Sequence, residues 1–96
     1  MNAIKNVTVI GAGTMGNGIA HVFAQYGFAV TLTDINEAAL TKAMQTITKN
    51  TDRQLAKRAI TEAVKQSIFS NLRTSTDLST SVENADLVIE AATERK

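Results

Sequence analysis

The chain has 96 residues, a formal net charge of +1 and no cysteine; that length allows one domain at most, burying about 60 to 65 per cent of its unfolded surface. The balanced charge gives no reason to expect a nucleic-acid partner or an anionic membrane surface, and without cysteine there is no disulfide framework, thiolate nucleophile or thiolate metal site. No apolar run approaches the roughly 20 residues that span a bilayer, and no internal repeat or linker composition divides the chain.

Lys5 to Ile10 is predicted as the first strand, nearly continuous in β-branched residues, as a strand covered on both faces should be. It starts within a few residues of Met1, which leaves no room for a leader peptide, so a cytoplasmic location is expected. The run stops at Gly11, and Gly13 and Gly16 complete the spacing G-x-G-x-x-G before an amphipathic segment begins. In a strand-to-helix corner these glycines have separate tasks. Gly11 permits the tight turn, Gly13 lets the backbone approach a pyrophosphate, and Gly16 lets the helix pack closely on the strand. The unpaired N–H groups and positive dipole end of the new helix then face the anion. Glycines at this spacing are a weak signal alone; the strand before, the helix after and Asp34 at the end of the next strand supply the context that makes them a dinucleotide fingerprint.

From Thr14 to about Tyr26 the apolar residues Met15, Ile19, Val22, Phe23 and Tyr26 fall on one helical stripe. Asn17, His21 and Gln25 fall on the opposite, polar side, so His21, the single histidine, is expected to be solvated and to have no ligand or acid–base role. Gly27 is placed to end the helix in a left-handed conformation, and Phe28 to Thr33 is the second strand. Asp34 at its carboxyl end would accept hydrogen bonds from both adenosine ribose hydroxyls and repel a 2′-phosphate. No lysine or arginine follows within several residues, which argues for NAD over NADP.

Asn36 can cap a second helix with an apolar stripe of Leu40, Ala43, Met44 and Ile47. The polar patch Asn50-Thr51-Asp52 predicts a bend, with helix resuming through Leu55, Ala56, Ala59 and Ile60, and a further short helix starting at Thr61 and Glu62 and running through Val64 and Ile68. If this stretch is helical, Lys49, Arg53 and Lys57 form one basic stripe, either a solvated face or a phosphate contact. Leu72 to Thr76 is a weak third strand, Asp77 caps a short helical turn from Leu78 to Val82, and Asp86 to Glu90 is a strong fourth strand suited to burial. The expected fold class is α/β, a Rossmann-like parallel sheet with helices on both faces, with strand order 3-2-1-4 and the chain stopping after the fourth strand.

Three segments together, Val9-Ile10-Gly11-Ala12-Gly13-Thr14-Met15-Gly16-Asn17-Gly18-Ile19-Ala20, Asp34-Ile35, and Leu87-Val88-Ile89-Glu90-Ala91-Ala92-Thr93-Glu94, resemble the amino-terminal domain of the 3-hydroxyacyl-CoA dehydrogenase family, which includes 3-hydroxybutyryl-CoA dehydrogenases. The resemblance covers essentially the whole chain. It implies NAD contacts from Gly11, Ala12, Gly13, Thr14, Met15 and Gly16, from Asp34, and from Ala92, Thr93 and Glu94. It implies that the second helical region reaches the CoA moiety of an acyl-CoA substrate, with Asn50 standing where family members have a serine and Lys57 where they have a lysine. The family oxidises the 3-hydroxyl of the thioester to a ketone by hydride transfer to nicotinamide, with a histidine as general base and a glutamate that orients it.

Those two residues belong beyond the fourth strand, and His21 does not match the histidine. Residues 1–96 are therefore expected to be the first part of a dinucleotide-binding domain, holding NAD without performing dehydrogenation, with no catalytic and no metal-binding residue of their own. The flank of the fourth strand is expected to promote association into a homo-oligomer. Three alternatives remain at this point, the plainest being a packing domain that binds nothing, which a shift of melting temperature on NAD titration would exclude; the other two are more specific. One is another NAD-linked hydroxy-acid dehydrogenase, such as the 3-hydroxyisobutyrate and 6-phosphogluconate group, and the other is a non-catalytic NAD-binding or structural protein on the same fold.

Overall fold

A computed structural model describes residues 4–91. The elements run β1 (Asn6–Ile10), α1 (Thr14–Gln25), β2 (Ala29–Thr33), α2 (Glu37–Ala56), α3 (Glu62–Asn71), β3 (Leu72–Ser75), α4 (Leu78–Glu83) and β4 (Leu87–Glu90). The strands form one parallel sheet in the order β3-β2-β1-β4. Register aligns the strand ends: Ile10 lies opposite Thr33 on one side and Glu90 on the other, and Thr33 lies opposite Ser75. The loops after β1, β2 and β4 therefore meet at one edge, the edge where open α/β sheets bind ligands.

Side chains alternate across a strand, so Val7 and Val9 point to one face of β1 and Thr8 to the other. Val7, Val9, Val30 and Leu32 are buried with Ala20, Ala24, Ile47 and Ile68, so α1, α2 and α3 cover that face. On the opposite face the Thr8 hydroxyl donates to the Ser81 carbonyl at 2.6 Å, which seats α4 there. Helices thus lie on both faces of the sheet, as expected.

Four local expectations are corrected. The face of α1 that packs inward is Gly16, Asn17, Ala20, His21 and Ala24. Of the predicted stripe, Met15, Val22 and Tyr26 are exposed, and only Ile19 and Phe23 reach the core's flank. The cause is size: Gly16, Ala20 and Ala24 let the helix axis come close to the sheet, where a Met or Tyr would hold it away. Phe23 instead packs edge-to-face on Phe28, with ring centroids 5.2 Å apart.

The bend predicted at Asn50-Thr51-Asp52 is absent, and α2 is a single helix to Ala56. Thr51 is fully buried with its hydroxyl donating to the Thr48 carbonyl at 2.8 Å, so a polar residue satisfies itself inside the helix. Helix does not resume through Ala59 and Ile60. Lys57 closes α2, Arg58 takes a left-handed φ of 60°, and Ile60 turns into the core before Thr61 caps α3 by accepting from the Val64 N–H. Finally, β4 is half-buried where full burial was expected: Leu87 and Ile89 pack on the core, whereas Val88 is 42% exposed. The six-residue α4 reaches β1 and β2 and leaves Val88 uncovered among the described residues.

Candidate functional site

At the end of β1 the chain turns on Gly11, whose φ of 102° is open to glycine and strained for other residues. Its N–H donates to the Thr33 carbonyl at 2.8 Å, which locks the turn to the end of β2. A Cβ built on Gly16 would overlap the Gly11 carbonyl oxygen, so the close approach of α1 to the turn requires glycine there. Gly13 differs. Its φ is −74° and a Cβ there would meet nothing within 4 Å, so neither backbone strain nor packing accounts for it. The space in front of Gly13 is open, as a phosphate-approach position needs to be.

The start of α1 contrasts with the other helix starts. Asn36, Thr61 and Asp77 cap α2, α3 and α4 with side-chain oxygens, whereas α1 begins at Gly13 with no side-chain cap and no acidic residue in its first turn. Its first-turn amides lack intrahelical acceptors and are left to water or to an anion.

Asp34 closes the corner from the β2 side. One carboxylate oxygen accepts from the Ala12 N–H at 2.9 Å and the other from the Asn36 N–H at 2.9 Å. The carboxylate is thereby fixed toward the glycine turn, and an ionised carboxylate has about four acceptor positions, so two remain for ligand hydroxyls. The Ala12 contact is one that residue spacing did not reveal. From the third side Ala91 arrives, its N–H donating to the Ile10 carbonyl at 2.8 Å. Gly11 to Gly16 and Asp34 are thus brought together at one corner. The expected contacts Ala92, Thr93 and Glu94 lie outside the described residues.

Asn50 and Lys57 stand elsewhere, on the second half and at the end of α2. Because α2 is unbroken there, Lys49, Arg53 and Lys57 do form one exposed stripe. His21 is the correction of most consequence. It is 7% exposed, and its Nε2 lies 2.9 Å from Gln54 Oε1, while Gln54 Nε2 donates to Gln25 Oε1 at 3.3 Å. Burial pushes the imidazole's pKa down, and the bond to Gln54 opposes this. Gln54 is the partner that sequence reasoning missed, because its pairing with His21 joins two helices 33 residues apart and leaves no local spacing signal. Among the described residues no group of three or more His, Asp or Glu could hold a metal ion.

A parallel sheet in the order 3-2-1-4, a three-glycine strand-to-helix corner and a carboxylate aimed into it define the first half of a doubly wound dinucleotide-binding fold. Residues 6–96 match the family model described as "3-hydroxyacyl-CoA dehydrogenase, NAD binding domain", and the chain belongs to that family, whose cofactor is NAD. It is 45% identical over 93 residues to a 3-hydroxybutyryl-CoA dehydrogenase of Bradyrhizobium diazoefficiens, covering 97% of this chain and 31% of that one. It is 43% identical to a mitochondrial hydroxyacyl-coenzyme A dehydrogenase of Rattus norvegicus, covering 95% and 31%. The crystal structure of (S)-3-hydroxybutyryl-CoA dehydrogenase from Ralstonia eutropha superposes with a TM-score of 0.91 at 41% identity, covering 98% of this chain and 33% of that one. The chain therefore spans about a third of the length of the relatives it matches.

Proposed function

We propose that this chain is the NAD-binding portion of an oxidoreductase that moves hydride between a 3-hydroxyacyl-CoA thioester, such as 3-hydroxybutyryl-CoA, and NAD, in fatty acid or butanoate metabolism. The observation that carries the proposal is the Asp34 carboxylate, held by the Ala12 and Asn36 amides toward a helix start that no side chain caps. The first-turn amides of Thr14, Met15 and Gly16 and the open space at Gly13 receive the pyrophosphate, Gly11 and Ala12, whose own amides bond Thr33 and Asp34, shape the corner beneath it, Asp34 receives the adenosine ribose, and Ala92, Thr93 and Glu94 the nicotinamide half. Asn50 and Lys57 contact the CoA moiety. Bound NAD supplies the hydride acceptor; the residues of this chain bind and orient it and take no proton from the substrate.

Residues 1–96 form the first part of the dinucleotide-binding domain, and by themselves they bind without turnover. The exposed outer side of β4, where Val88 lies open, supports self-association into a homo-oligomer. No helix of the described residues is long and apolar enough to cross a membrane, and the absence of cysteine suits a reducing compartment, for which the cytoplasm is our proposal. The test is NADH formation from 3-hydroxybutyryl-CoA and NAD. The intact protein should form it and the 96 residues alone should not. An intact protein that binds NAD and oxidises no 3-hydroxyacyl-CoA would defeat the proposal.

A further inference from the structure

Charge is spread unevenly along the chain. No Asp, Glu, Lys or Arg stands between Lys5 and Asp34, so α1 is a helix of 12 residues without one charged side chain. A surface helix carries charge on its solvent side, and a helix apolar on several sides is enclosed. On its sheet side α1 presents Gly16, Ala20 and Ala24, yet Met15, Val22 and Tyr26 are 64, 52 and 75% exposed. At about 100° per residue, Met15, half-buried Ile19 and Tyr26 share one flank, turned away from His21 and Gln25, with Val22 at its crest. His21 and Gln25 face Gln54 of α2, on the β2 side of α1, so the apolar flank is the one toward β4. α4 lies on the sheet's other face, and that flank has no helix beside it among the described residues. The strand next to it records the same gap. Leu87 and Ile89 stand opposite Val7 and Val9 and share their face, but Val7 and Val9 are 1% and 0% exposed while Leu87 and Ile89 are only half-buried.

We propose that this flank of α1, with Leu87 and Ile89 beside it, is the seat of a helix supplied by the rest of the intact protein and packed lengthwise along α1. Length supports that occupant: the chain covers 31% of one relative and 33% of another, so roughly two-thirds of such a protein lies outside it. Shape supports a helix. The stripe from Met15 to Tyr26 runs about three turns, roughly 16 Å, the footprint of a helix lying alongside. Parallel strands are covered on both faces, and β4 lacks a helix on this one. The flank offers no charged residue, and a charge buried against it would stay unpaired, so the seated helix turns an apolar face to α1. Val88 lies on the opposite face of β4, which keeps this seat separate from the side proposed for self-association. Met15 stands in the first turn of α1, so the seated helix also borders the glycine corner and shields it from water on that side.

Tyr26 is the single tyrosine of these residues, and it and Met15 carry side chains that report exposure chemically. The intact protein, free of cofactor and substrate, would be nitrated with tetranitromethane and, separately, oxidised with hydrogen peroxide. Modification at Tyr26 and Met15 would be read by peptide mass spectrometry against the same protein unfolded in denaturant. Both side chains are expected to react roughly tenfold more slowly, or slower still, in the folded protein, at every protein concentration. Val22→Glu in the intact protein should return Tyr26 nitration toward the unfolded rate, because a carboxylate on the crest expels the seated helix, while slow amide exchange in β1 and β2 is retained. Tyr26 and Met15 modified at the unfolded rate in the native intact protein would overturn the proposal. Protection that fades on dilution would assign the flank to a second copy, and protection that appears only with added acyl-CoA would assign it to substrate; either would overturn it too. None of these readouts involves NADH formation, so the seat on α1 and the proposed function fail separately.

Discussion

Two glycines of the corner carry different burdens, and substitution separates them. Gly16→Ala places a methyl on the Gly11 carbonyl, so α1 must move off the sheet; the expected cost is about 1–3 kcal/mol or more, read as a lower denaturation midpoint. Gly13→Ala meets open space, so the fold should keep its stability while NAD affinity falls about tenfold or more, measured by calorimetric titration. Thr33 offers a third case. It is 1% exposed, and its hydroxyl is the one buried side-chain polar atom without a partner among the described residues. Thr33→Val should therefore stabilise the protein by about 1 kcal/mol in chemical denaturation. At this scale the sequence was highly informative. Gly11, Gly16 and Asp34 do their work through the backbone next to them, and spacing alone reveals such local geometry. The Thr33 hydroxyl and the Asp34 bond to Ala12 depend on how strands register, which spacing does not report.

Among the elements, α1 and α2 show where periodicity fails. Met15, Val22 and Tyr26 were legible as an apolar stripe, yet Gly16, Ala20 and Ala24 are what face the sheet, because closeness of approach outweighed the apolar area of larger side chains. His21 followed that error inward. Its pKa is lowered by burial from 6.5, so between the lowered folded value and 6.5 the unfolded chain takes up the proton more readily. Stability present above pH 6.5 should fall as pH drops through that window, and His21→Gln should abolish the dependence there. Denaturant midpoints at roughly pH 8 and roughly pH 5 would check it, with no difference between them counting against a histidine clasp. The continuity of α2 was hidden for a related reason: a threonine that bonds its own helix looks, in sequence, like a turn former. Caps were easier. Asn36 accepts from the Ala38 N–H at 2.9 Å, and Asn36→Ala should cost about 1 kcal/mol.

For the molecule as a whole, strand order followed from the fingerprint's place in the fold, and the sheet confirms it. The half-exposure of β4 was not legible, because an apolar run looks the same whether one side or both sides are covered. Attachment of β4 depends on Asp86, which accepts from the Lys5 and Asn6 N–H groups at 2.9 Å each and so ties the start of β4 to the start of β1. Those backbone donors, Asn6 first and Lys5 second, hold its carboxyl below the ordinary 3.8. The stability it contributes is complete above that value and is lost as pH falls through the lower folded one. Asp86→Ala should speed amide exchange in β4 ahead of β2, and uniform exchange across the sheet would argue against a separate clamp.

The central claim, a diphosphate at the uncapped start of α1 with its ribose held by Asp34, is tested most directly by calorimetric titration of the chain with NAD and then with NADP under the same conditions. Saturable NAD binding, with NADP weaker by about tenfold or more because its 2′-phosphate meets the carboxylate, is the predicted result. Equal affinity for the two, or heat from neither, would contradict it.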